Sequence, residues 1–304
     1  MAISRHQLVK ELEPGLNALF GLEYKRYDNQ HAEIYTNESS DRAFEEEVML
    51  SGFGNASVKS EGSGVSFDNA QESFSARYTH ETVALAFAIT EEAIEDNLYD
   101  RISSRYTKAL ARSMSNAKQV KAVTPLIDGL PSTDGFDSGD GVSLFNTAHT
   151  TVSGTNVKNT LTTQADLNET SLEQSLIDIA AMTDERGLRI AARGVKMIIP
   201  SANQFTAERL MKSQGRTGTA DNDINAIGSM GMIPQGYRVN NYLTDSDAFY
   251  IITDVPNGMK MFQRAPLKTA MEGDFDTGNV RYKARERYSF GVSDPRGIFG
   301  VEGA

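Results

Sequence analysis

The chain has 304 residues, 39% of them hydrophobic and 23% charged, with a net charge of −11 and no cysteine. That length and composition predict a folded body with a sizeable core, as one multi-lobed unit or two domains, and exclude a disordered chain. The missing cysteine excludes disulfides, thiolate nucleophiles and Cys-ligated metal sites, which leaves packing and association to stabilise the molecule.

The N-terminus, Met1-Ala2-Ile3-Ser4-Arg5-His6, has no apolar run of signal-peptide length, and no later stretch approaches a membrane span. A soluble protein made in the cytosol is expected, and on that reading the sequons at Asn37, Asn55 and Asn168 carry no meaning. Residues 3–27 read as a helix broken at Glu13-Pro14-Gly15, then a second turn through Leu16, Leu19, Phe20 and Leu22. Residues 45–89 read as an extended arm. Gly52, Gly54, Gly62 and Gly64 lie among serines and valines, giving short strands over 48–68 with a turn at Glu61-Gly62-Ser63-Gly64. Phe74, Ala76 and Tyr78 alternate with polar residues; Val83, Leu85, Phe87 and Ile89 alternate in the opposite phase, so a bend or bulge is expected near His80. A two-stranded ribbon has no core of its own, so this arm is expected to need a partner surface.

A long helix follows over 90–123, with Thr90 as N-cap, Glu91 and Glu92 in the first turn, and Ile94, Leu98, Ile102, Tyr106, Leu110 and Met114 as an apolar stripe. About 30 residues at 1.5 Å each make a beam of roughly 45 Å. Residues 128–165 are rich in Gly, Ser, Thr and Asp and read as irregular. Thr170-Ser171-Leu172-Glu173 reads as a capping box for a helix reaching Gly187, residues 195–200 as a buried strand, and Ser201 onward as a cap for a helix ending near Ser213. A loop at 214–231 precedes strands at 237–243, 248–253 and 259–263. Last, Arg281, Lys283, Arg285 and Arg287 share one strand face, with Val280, Tyr282 and Ala284 on the other. The fold class is α+β.

Charge is unevenly placed. Residues 31–96 carry fourteen acids against Arg42, Lys59 and Arg77, whereas residues 97–304 carry twenty-three of each sign. The long helix reverses the bias with Arg101, Arg105, Lys108, Arg112, Lys118 and Lys121. An acidic arm and a basic helix suit each other, within one molecule or between neighbours; both could also be solvated faces. The four-cation strand reads either as a contact for phosphate or a neighbour's arm, or as a solvent-facing edge guarded by charge. Sequence-specific nucleic-acid binding fits an acidic chain poorly. No catalytic set emerges. The four histidines (His6, His31, His80, His149) show no metal-ligand spacing, Gly62-x-Gly64 lacks a third glycine, no phosphate-loop Lys motif occurs, and Asp134, Asp137 and Asp140 resemble a calcium loop only loosely. Neither cofactor nor metal is expected.

This order of parts resembles the major capsid proteins of tailed bacteriophages, the Hong Kong 97 type fold shared with encapsulins. The resemblance rests on residues 83–121; on Leu144-Phe145 with His149; on residues 195–210; and on 239–300, including Asn240-Asn241-Tyr242-Leu243-Thr244-Asp245, Arg264-Ala265-Pro266-Leu267 and Tyr282-Lys283-Ala284-Arg285-Glu286-Arg287-Tyr288. It implies an N-arm (1–30), an E-loop (31–80), a peripheral domain (81–123 and 256–289) with the spine helix, and an axial domain (124–255 and 290–304). It further implies hexamers and pentamers closing an icosahedral shell in the host cytoplasm around double-stranded DNA. Few residues precede the E-loop, so if a scaffold is used a separate scaffolding protein is implied; portal and decoration proteins are further partners the resemblance allows. Family cross-linking cannot be assigned, and Lys59 is suggestive only by its place near the loop tip. Expected inter-subunit contacts are Lys59, Glu61, Arg101, Arg105, Arg112, Arg281, Lys283, Arg285 and Arg287, with the arm lying across a neighbour's basic helix. An encapsulin-like nanocompartment shell is the alternative, and a soluble enzyme with an unrecognised site a remoter one.

Overall fold

The computed structural model describes residues 5–90, 92, 99–133, 135–215, 224–274 and 278–304, with side chains described from residue 13 in the first helix and from residue 103 in the long one. Helix α1 (Arg5–Arg26) runs unbroken through Pro14, so the expected break at 13–15 is absent. An interior proline costs about 3 kcal/mol in lost hydrogen bonding and ring clash. Leu16 and Phe20 offset it by burying against Leu110, Met114 and Tyr282. Each such side chain contributes roughly 1.5–3 kcal/mol.

Strands β1 (Thr36–Ser39), β2 (Phe44–Leu50), β3 (Glu72–Thr79) and β4 (Glu81–Ile89) follow. The ribbon ladder is β2 against β3, from Phe44 opposite Thr79 to Leu50 opposite Glu72, and it meets the strands expected at 48–68 only over residues 48–50. The phase flip at His80 is a change of partner: β3 pairs with β2, and β4 joins a different sheet.

Helix α2 (Tyr99–Asp128) is the long beam. Most of the residues between the expected cap Thr90 and Tyr99 lie outside the described residues, Ile94 and Leu98 of the expected stripe among them, as does the side chain of Ile102. A strict four-residue repeat drifts about 40° per step around a helix, so Tyr106 is 52% exposed while the buried face passes through Thr107, Leu110, Ala111, Met114, Lys118, Ala122 and Leu126. The helix continues past its expected end at 123, through Pro125. Hydroxyl groups serve the carbonyls around that proline: Thr124 donates to Val120 at 3.0 Å, Tyr35 to Ala122 at 2.6 Å and Tyr250 to Leu126 at 3.2 Å.

A small hairpin, β5 (His149–Thr150) and β6 (Asn156–Val157), leads to α3 (Glu169–Ala180), which starts and stops earlier than its sequence indicated. Its cap is Asn168, which accepts from the Ser171 N–H while the Ser171 hydroxyl serves the Asn168 N–H. Then come β7 (Gly194–Ile199), α4 (Gln204–Lys212), α5 (Ala226–Met230), β8 (Tyr237–Val239), β9 (Phe249–Thr253), β10 (Met259–Gly273), β11 (Val280–Val292) and β12 (Ile298–Val301). Strand β8 stops at Val239, short of the expected 243, and α5 lies within the stretch read as loop.

Two sheets organise the body. One has the order β1-β10-β11-β4, with α2 and α1 on one face; the other has the order β12-β9-β7-β8, with α3 and α4 packed on it through Leu172, Leu176, Ile179 and Leu210. Leu126, Leu144, Phe145, Ile198, Tyr250 and Tyr288 fill the junction between them. The four-cation strand is β11, hydrogen-bonded on both sides, so the reading of it as a guarded edge is overturned. Its side chains do alternate as expected, with Tyr282, Ala284 and Glu286 buried and Arg281, Lys283 and Arg285 exposed.

Candidate assembly surfaces

The ribbon divides into a stem and a tip. Contrary to the expectation that it finds no burial on its own body, the stem is docked. Glu47 accepts from Lys260 and from the Ser293 hydroxyl, and Tyr78 bonds Ser293 at 2.5 Å. Burial alone would lower the Lys260 pKa, but Glu47 and Glu38 hold it above the ordinary lysine value. The Ser73 hydroxyl donates to Glu185 at 3.0 Å and Arg186 to Asp68 at 2.7 Å. Phe74 lies so close on Gly139 that any Cβ there would meet the ring at 2.5 Å. At the root, His80 bridges the Ser289 and Ser40 hydroxyls, each at 2.9 Å. These partners are up to 246 residues apart in sequence, and nothing local announces them.

The tip, 53–67, is different. Gly54 donates to Asp68 at 2.7 Å and Ser57 meets Ser66 at 3.0 Å across the ribbon, but the apolar side chains beyond are bare: Val58 is 98% and Phe67 94% exposed, with Phe53 and Val65 also open. Gly62, at φ +77°, turns the chain in a conformation that favours glycine. Lys59 and Glu61 stand at this turn, both exposed.

The expected basic residues fall on two surfaces. Arg105 and Arg112 are exposed on α2, with Lys108 between them; the side chain of Arg101 lies outside the described residues. Arg281, Lys283 and Arg285 project from the face of β11 turned away from α2, with Arg287 half-buried in the same row. They stand opposite Ala88, Ala86, Ala84 and Thr82 of β4, and Lys268 of β10 lies opposite Arg285. The two surfaces therefore sit on opposite sides of one helix-on-sheet layer. Arg281 reaches Asp274, and Arg112 donates to the Tyr27 hydroxyl at 3.0 Å.

Two of the helix's expected cations are used internally. Lys121 pairs with Glu81, and Lys118 is buried against Glu286 at 3.3 Å, its ammonium 5.1 Å from the Tyr288 ring centre. Burial raises the Glu286 pKa above the usual carboxylate value despite Lys118. Beside them His31 is bonded to Gln119, and burial together with Lys118 pushes its pKa down to about 4. An unfolded histidine binds its proton near pH 6.5. Stability is thus expected to fall between pH 6.5 and 4, because the unfolded chain protonates first, and by no more than about 3 kcal/mol. Urea unfolding across that range should show a shallower slope for His31→Gln.

In the loose calcium-like loop Asp140 engages His149 at 2.7 Å and the Ser138 hydroxyl, and Asp134 lies outside the described residues; among those described, no group of three or more acidic or histidine side chains could hold a metal. No described helix is long and apolar enough to cross a membrane.

A family model described as phage capsid protein matches residues 73–301. By sequence, no curated protein matches. Among solved structures, the capsid of Myoviridae phage XM1 superposes with a TM-score of 0.53 at 13% identity, covering 89% of each chain. Mycobacterium phage Patience gives 0.58 at 11%, covering 99% of this chain and 89% of that one. A virus-like particle from Pyrococcus furiosus gives 0.53 at 10%, covering 95% and 98%. At such identities the likeness is one of fold, the Hong Kong 97 type expected from the sequence. The family match extends over about three quarters of the chain, from the ribbon's returning strand through α2 and both sheets to β12, and with it the chain belongs to the phage capsid protein family, as a structural major capsid protein of the virion and not an enzyme.

Proposed function

We propose that copies of this chain close as hexamers and pentamers into an icosahedral shell around double-stranded DNA, assembled in the host cytoplasm with a separate scaffolding protein and with portal and decoration proteins as further partners. In this reading residues 81–123 and 256–289 form the peripheral layer, 124–255 with 290–304 the axial lobe, 1–30 the N-arm and 31–80 the reaching loop. The observation that carries it is the bare tip: Val58 and Phe67 are almost wholly exposed on their own subunit and Val65 is mostly so, and fully burying such a side chain would contribute up to roughly 1.5–3 kcal/mol. A closed shell supplies such burial through repeated contacts around its symmetry axes.

The receiving surface we favour is the open face of β11. There the exposed small side chains Ala84, Ala86 and Ala88 of β4 run beside a row of Arg281, Lys283, Arg285 and Arg287, which suits an extended ribbon from an acidic segment that includes Glu61. Reversing Lys283→Glu and Arg285→Glu is expected to cut the yield of assembled particles at least tenfold at low salt, with subunit melting unchanged. Equal yields at all salt concentrations would reject this docking. A DNA-free nanocompartment shell is the second reading, favoured by the fold likeness to the Pyrococcus particle; nuclease-protected DNA inside purified particles would dismiss it.

A further inference from the structure

In a chain of net charge −11 about half of the described bases are paired, and the buried ones are held closely: Lys118, Lys158, Arg186, Lys196, Lys260 and Arg296 each have a carboxylate partner at 2.7–3.3 Å. Arg105, Lys108 and Arg112 are not. All three are exposed, and among the described residues none pairs with a carboxylate. The acid nearest in effect to Arg112 is Glu23, which already serves Tyr27 and Arg26. Among the described residues Arg112 spends its Nε on the Tyr27 hydroxyl.

Their spacing is regular. At 100° per residue, positions 105, 108 and 112 fall within about 60° of one another, on the side of α2 away from the buried Leu110 and Met114. At 1.5 Å per residue the row is about 10.5 Å long, which spans roughly three 3.4 Å phosphate steps of one DNA strand. A convex helix carrying three exposed cations over that length meets a rod of regularly spaced phosphates, whereas the alanine floor on the other side of the layer suits a ribbon.

We propose that this row on α2 binds the phosphate backbone of duplex DNA without regard to sequence, which makes the α2 side of the layer the inner side of the shell. The proposal rests on the shell reading above. Three neutralised phosphates give a slope of log affinity against log salt of about −2.7, and removing two cations leaves about −0.9.

The test is fluorescence titration of a mixed-sequence 24-base-pair duplex with the full-length chain between 50 and 200 mM salt, with melting curves and electron microscopy on each variant. The slope is expected to drop to about a third in Arg105→Gln/Lys108→Gln and to stay unchanged in Lys283→Gln/Arg285→Gln. Absent binding by the unmodified chain, an unaltered slope in the α2 variant, or a drop in the sheet variant instead would each overturn the proposal. Lost particle assembly in the α2 variant with an unaltered DNA slope would hand this face to a neighbour's ribbon, ending the proposal while leaving the shell reading intact. A reduced slope from a chain that forms no particles would sink the shell reading alone.

Discussion

Lys118→Met is expected to destabilise the isolated subunit by about 3–5 kcal/mol at pH 8, because it leaves the Glu286 carboxylate buried without its counter-charge. Lys118 and Glu286 lie 3.3 Å apart with side chains 10% and 1% exposed, and the second carboxylate oxygen has no partner among the described residues. In the variant Glu286 escapes the penalty only by staying protonated, so its folded pKa rises further above the unfolded value. A group shifted in that direction contributes stability at low pH and loses it as pH rises. The deficit should therefore shrink toward pH 5. Joining the change to Glu286→Leu removes the stranded charge, and the double variant is expected within about 1 kcal/mol of the parent or above it. Urea unfolding measures all three proteins. A single-variant cost below about 1 kcal/mol at pH 8 would mean that water reaches the pair.

The second large effect is on association rather than folding. Ser57 and Ser66 face each other at 3.0 Å across the ribbon, so a two-glycine turn can join them and delete residues 58–65. The deleted segment includes Val58, Lys59, Glu61 and Val65, all exposed on the single subunit. Subunit melting is expected to move by less than about 2 °C, since little burial is lost. Assembly is expected to weaken by more than 100-fold, as two valines at roughly 1.5 kcal/mol each amount to about 3 kcal/mol per contact. Light scattering against concentration reads the effect. Shells forming at the parent's threshold would show that the tip touches nothing that matters.

What the sequence disclosed follows from where its determinants lie. The alternation of Arg281, Lys283 and Arg285 with Tyr282 and Ala284, and the phase reversal at His80, depend on neighbours in the chain and could be read directly. Continuity of α1 through Pro14 could not, because it is set by Leu16 and Phe20 meeting α2 and β11. Asn168 was obscured because a stronger-looking Thr170–Glu173 pattern lay two residues further on. The long helix outran Pro125 because Tyr35 and Tyr250, distant in sequence, serve its carbonyls. Among the surfaces, the charge asymmetry between arm and helix was legible, but its division was not: Lys118 turns inward to Glu286, Lys121 pairs with Glu81 at the surface, and Arg105, Lys108 and Arg112 face out with no carboxylate partner among the described residues. The docking of the stem through Glu47, Ser293 and Tyr78 joins the two ends of the chain, which no periodicity records.

The most direct measurement is sedimentation of the purified full-length chain over a wide concentration range, with electron microscopy of each fraction. Discrete species of five and six copies, or closed shells, are predicted to appear as concentration rises. A single monomeric species at every concentration, with the ribbon tip protected from proteolysis on its own subunit, would contradict the account.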